Sequence, residues 1–154
     1  MGDNRPVSLI DRAEALVLAL IQEDRIGVPE QVDKVLRALL EHLRAQDLNA
    51  EQALKKAGVK GGSIWGMFRS ATGWSLADYI KLRRIQMATY LLHYSSFTCT
   101  AIGHHVGWLH FDPFNRACKM IHKELYGHLE VKPGDVRKAG PEVYPARPSS
   151  RPPV

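Results

Sequence analysis

Two short stretches of this 154-residue chain carry side chains whose types and spacing suit directed hydrogen bonding to a polyanion. One is His110 with Asn115, Arg116, Lys119 and Lys123; the other is Lys60, Ser63, Trp65 and Arg69, with Lys55 and Lys56 just ahead. An Arg donates two parallel N–H bonds to the O6/N7 edge of guanine, and an Asn pairs in the same bidentate way with adenine. Lysines, and arginines elsewhere, neutralise phosphate without reading sequence. Each residue also has a plain reading as solvated helix surface, so residue type needs a scaffold before it becomes a site.

Other chemistries find less support. His104, His105, His110, His122 and His128 cluster in sequence with Cys99 and Cys118. Zinc sites combine compact spacings such as Cys-x2-Cys with His-x3-His, and that combination is missing. A nucleophile at Cys99 or Ser95 would need a base and an orienting acid, and neither has a flanking signature. The residues therefore point to neither a metal, a cofactor nor an enzymatic activity. Cys118 reads as a small core residue, and two cysteines in helical-looking sequence suit a reducing cytoplasm.

The elements that must position these groups are helical throughout. Ser8-Leu9-Ile10-Asp11 is a capping box opening an amphipathic helix over 9–24, which Gly27-Val28-Pro29 ends. A second helix is predicted over 30–46, with Val32, Val35, Leu36, Leu39 and Leu43 on one face and Asp33, Lys34, Arg37, Glu41 and Arg44 on the other. Short helices follow over 50–57 and 61–72, separated by Gly58, with Ile64, Met67 and Phe68 inward. Ser75-Leu76-Ala77-Asp78 starts the longest helix, 75–94, with Tyr79, Leu82, Ile85, Ala88, Leu91 and Leu92 on its buried side. A helix over 99–106 turns at Gly107. Asp112-Pro113 opens another that runs to Tyr126, and a last turn is predicted at 133–138. Residues 139–154, with five prolines, are expected to be a disordered tail. No apolar run approaches the roughly 20 residues of a membrane span.

Charge is uneven. Residues 1–50 hold six Lys/Arg against nine Asp/Glu, whereas residues 51–154 hold fifteen against seven. That asymmetry suits contact with nucleic acid. Within the basic part a plan repeats. Leu54 precedes Gly58 by four residues, with Ile64 and Phe68 after it; Gly103 precedes Gly107 by four, with Phe114 and Cys118 after it. A snug residue for helix crossing, a glycine corner and an apolar anchor pair are what a helix-turn-helix needs.

From about Val32 to Arg137 the sequence resembles the DNA-binding domain of AraC/XylS-type transcription regulators. The resemblance rests on Phe68-Arg69-Ser70-Ala71-Thr72-Gly73, on Tyr79, Arg84, Ala88, Leu91 and Leu92, on Ile102-Gly103 through Gly107-Trp108, on Phe114-Asn115-Arg116-Ala117-Cys118-Lys119, and on Val131 to Arg137. It implies an all-α fold in which two helix-turn-helix units, within residues 30–138, are joined by one long helix. Their second helices would enter successive major-groove segments of double-stranded DNA about 34 Å apart. It also implies a bacterial, cytoplasmic, nucleoid-associated regulator that touches RNA polymerase, with Arg84 packed internally rather than on DNA. Residues 1–29 form an N-terminal helical extension, too short for an effector domain, so the chain is expected to act as a bare DNA-binding module.

Two departures stand out. Gly61, Gly62 and Gly66 occupy the first reading helix, where they cost about 1 kcal/mol each relative to alanine and offer no donors to bases. The stretch between Cys118 and Pro133 is longer than in the resembled family, which extends the second reading helix. Helix 9–24, outside the resemblance, has an apolar face broad enough to be buried on the domain, to form a homodimer or to dock a protein partner. The alternative to DNA reading is thus an adaptor: a protein-interaction module on a degenerate version of this fold.

Overall fold

The computed structural model describes residues 8–126, and over these the chain is all-helical. Seven helices follow one another: α1 (Leu9–Asp24), α2 (Glu30–His42), α3 (Ala50–Ala57), α4 (Ser63–Thr72), α5 (Leu76–Tyr94), α6 (Cys99–His105) and α7 (Phe111–Tyr126). The turn predicted at 133–138 and the proline-rich tail lie outside the described residues.

Local chemistry sets most of the starts. Ser8 accepts from the Asp11 N–H at 3.0 Å, Asn49 from Gln52 at 2.8 Å, Ser75 from Asp78 at 3.2 Å and Thr98 from Ala101 at 3.1 Å. Each bond satisfies one of the N–H groups that the first helical turn leaves without a partner. Five boundaries differ from the sequence reading, two of them by one residue: α5 starts at Leu76, with Ser75 as its cap, and α6 ends at His105. α2 ends at His42 rather than near 46, because the chain turns through Leu43–Leu48 toward α3. α4 starts at Ser63, two residues late, because Gly62 sits at φ 91°, outside helical space. α7 starts at Phe111 and takes Pro113 into its first turn, where a missing N–H costs no helical hydrogen bond.

A single hydrophobic core runs through the described elements. Its axis is α5, which buries not one side but nearly its whole circumference, from Leu76 to Leu91. The expected buried face is present, and α1 covers a further side with Ala13, Val17, Leu20 and Ile21. A helix wrapped on all sides is a core element. The apolar stripe of residues 9–24 is therefore used within the chain's own core, and Leu16 is the large apolar residue of α1 that remains exposed.

The packing forces two arginines of α5 inside. Arg83 is 1% exposed, donates to Gln86 at 2.7 Å and is bonded to Asp24 at the end of α1. Asp24 also accepts from the Tyr79 hydroxyl at 2.6 Å. This ion pair and its hydrogen bonds fasten α1 to α5. Burial raises the Tyr79 phenol, which stays a neutral donor to Asp24.

Candidate nucleic-acid interface

The two repeated stretches share one corner. After α3, Gly58 at φ 70° donates to Lys55 O at 3.1 Å and Val59 to Leu54 O at 3.0 Å. After α6, Gly107 at φ 115° donates to His104 O at 3.2 Å and Trp108 to Gly103 O at 2.9 Å. This is the paired hydrogen-bond pattern of a glycine C-cap, which needs a left-handed residue to reach back to the helix carbonyls. It recurs at a fixed offset: 54 to 103, 55 to 104, 58 to 107 and 59 to 108. Connectors 58–62 and 106–110 then lead into α4 and α7.

Each following helix buries one side. In α4 these residues are Ile64 and Phe68, the latter edge-on to Tyr79 of α5 at 5.2 Å between ring centres. In α7 they are Phe114, Ala117 and Ile121. Cys118, expected as an anchor, is only half-buried; Ala117 and Ile121 take the inner positions instead. Gly103 is the close crossing point, since a Cβ there would stand 2.8 Å from the Phe114 ring. The sequence reading of Gly103 as the small crossing residue is met physically.

The outer sides carry the predicted residues. Ser63, Trp65 and Arg69 are exposed on α4, with Lys60 exposed in the connector before it. Arg116, Lys119 and Lys123 are exposed on α7 at i, i+3 and i+7, hence on one face, and His110 is exposed just ahead. Asn115 is half-buried, at the edge of that face. Lys55 and Lys56 are exposed on α3. Trp65 is the exposed indole of the three tryptophans, and it lies back over Gly61, where a Cβ would meet its ring nitrogen at 3.3 Å. Trp74 is buried, and Trp108 is half-buried against Phe114 at 5.3 Å.

Two arginines tie the end of α2 to α6 and the corner after it. Arg44, expected on the solvated side of its helix, donates to His105 O at 2.7 Å and pairs with Glu14 at 3.4 Å. Arg84, expected to pack internally, does so: its Nε donates to Leu43 O at 2.8 Å and its Nη2 to Ala45 O at 2.7 Å. These carbonyls follow the end of α2 and lack helical partners, so a cation suits them. The guanidinium also lies 5.4 Å from the Trp108 ring centre. Gly107 makes room for it, since a Cβ there would come within 2.7 Å of the Arg84 Cζ. Burial lowers Arg84 to about 10, with Asp47 opposing. Even so, it stays protonated at neutral pH.

Among the described residues no three His, Cys, Asp or Glu side chains converge as a metal site. No helix there is long and apolar enough to cross a membrane. No family model, curated protein or solved structure matches this chain.

Proposed function

We propose that this chain is a sequence-specific regulator of transcription that binds double-stranded DNA through two helix-turn-helix units, α3–α4 and α6–α7, in the manner of AraC/XylS-type domains. The observation that supports this best is the duplicated corner: the same pair of hydrogen bonds, repeated in register, precedes two helices that each bury one side and expose the other, with Arg69 on α4 and Arg116, Lys119 and Lys123 on α7. Arg116 is assigned to guanine and Asn115 to adenine. Lys60, Arg69, Lys119 and Lys123, with Lys55 and Lys56, are assigned to phosphates. Ser63, Trp65 and His110 complete the surface. Both units pack on α5, and Arg44 and Arg84 tie the end of α2 to α6 and the corner after it, which suits a reader of two sites at fixed spacing. RNA polymerase is the partner this reading implies, at the bacterial nucleoid.

Selection from random duplexes, followed by anisotropy at two salt concentrations, tests it. Two short elements about one helical turn apart should be enriched, and affinity should fall steeply with salt. Arg116→Ala should cost about 1–3 kcal/mol and relax one base position, whereas Lys119→Ala should weaken all sequences alike. Absence of binding at low salt sinks the proposal.

A second reading is favoured by one observation: Leu109 is 57% exposed and Phe111 is 38% exposed, at the entrance to α7. An adaptor would dock a protein through such apolar residues. Its complex would tolerate loss of Arg116 and Lys119. Leu16→Glu tests the contribution of α1, because Leu20 is buried and its loss would disturb the core.

A further inference from the structure

A cleft of about 310 Å³ opens where the segment joining α2 to α3, the first turns of α5 and the corner between α6 and α7 meet. Its walls include Leu48, Ile80, Trp108 and Leu109. Lys81, Arg84 and His110 also line it, and no Asp or Glu does. Arg84 is 5% exposed, its Nε and Nη2 are engaged by the Leu43 and Ala45 carbonyls, and no carboxylate of the described residues pairs with it. Lys81 reaches Asp78 only at 4.0 Å. With Asp47 acting on it only from beyond ion-pair distance, this buried cation is met directly by carbonyls alone, and an entering anion would add the missing close charge. The remainder of the cleft would then receive an apolar body.

We infer that this cleft binds a small organic carboxylate, a single-ring or short-chain acid. Its carboxylate meets Arg84 and Lys81, and its apolar part lies between Ile80, Leu48 and Trp108. The size is right for one ring with a short arm, since a cavity of about 150 Å³ already holds benzene. Apolar walls with a few convergent donors at a junction of elements are the usual make-up of a small-molecule site. A DNA phosphate would use the donors but leave those walls unoccupied. Because the cleft touches both repeated stretches, its occupant would bias how they sit relative to each other. The inference does not depend on DNA binding.

Calorimetric titration of the full chain with benzoate and 3-phenylpropanoate, without DNA, tests it, with benzamide as the neutral match. Saturable binding with a Kd of about 0.1–1 mM is expected for the acids, and at least tenfold weaker binding for the amide. NMR amide shifts should centre on Gly107 to Leu109. Lys81→Ala, at a half-exposed position, should weaken binding about threefold or more and leave the melting temperature unchanged. Ala77→Phe, at an exposed residue of the cleft's rim, should abolish binding by filling it. Failure of both acids to saturate by about 10 mM overturns the inference. So does equal binding of the amide, indifference to Ala77→Phe, or inorganic phosphate binding as tightly as benzoate with the same shifts, which would mark a phosphate subsite.

Discussion

Arg83 and Arg84 are neighbours on α5, yet their charges are handled in opposite ways. Arg83 faces α1 and meets a carboxylate, Asp24; Arg84 faces the α2 and α6 ends and meets backbone oxygens. Which neighbour an arginine finds depends on the direction of its side chain around the helix, and 100° separates successive residues. The cysteines show the same dependence on surroundings. Cys118 is half-buried, and burial together with nearby Cys99 pushes its thiol up to about 12, whereas Cys99 is exposed. The thiolate is the reactive form, so at pH 8 only about one Cys118 in ten thousand would be ionised. Timed labelling with a thiol reagent under native conditions should therefore show one fast site, Cys99, and one slow site released by denaturant. Equal rates would mean that Cys118 is not held where the packing puts it. Residue type located Arg116 and Lys119 on a surface, but it gave no hint that Arg83 and Arg44 lie within the packing.

Periodicity made the helices legible, because an amphipathic stripe and a cap are local properties of the chain. All seven appear near their expected positions, and the errors fall at ends where a neighbour or a glycine decides the last turn. Two glycines, each in a helix interior, separate propensity from packing. Gly66 has open space where a Cβ would go, and it lies on the exposed side of α4. Gly66→Ala should raise stability by about 0.5–1 kcal/mol, through helix propensity and a less disordered unfolded chain. Gly103→Ala should do the reverse, costing about 1–3 kcal/mol, because its methyl would meet Phe114 at 2.8 Å. Denaturant unfolding of the two variants gives both signs. A stabilising Gly103→Ala would show that α6 and α7 do not cross there. If α4 reads DNA through backbone approach at Gly66, the alanine variant would also lose affinity while gaining stability.

The whole molecule is held by links that span long stretches of sequence. Asp24, Tyr79 and Arg83 join α1 to α5, and Arg44 joins Glu14 to His105. Asp24→Ala would leave Arg83 buried with no carboxylate, at a cost of about 3–5 kcal/mol. The double variant Asp24→Ala, Arg83→Met should recover much of that loss, since it removes the stranded charge. Chemical denaturation of the wild type, both single variants and the double variant forms the cycle. A single-variant loss under about 1 kcal/mol would mean that α1 is not fastened through this pair.

The sequence by itself determined the helical class, the order and approximate limits of the helices, the glycine corners and the exposed cations, because each follows from patterns within one or two turns. Its resemblance-based reading of two DNA-reading units remains a proposal, supported by the repeated corner. Only the tertiary structure decided that the broad face of α1 closes the core, that α5 is enclosed on nearly every side and that Arg44 and Arg84 join distant helix ends. It alone showed the cleft beside Arg84. The polar links among those features join residues 30 to 61 positions apart, and no local pattern encodes which of many buried faces will meet.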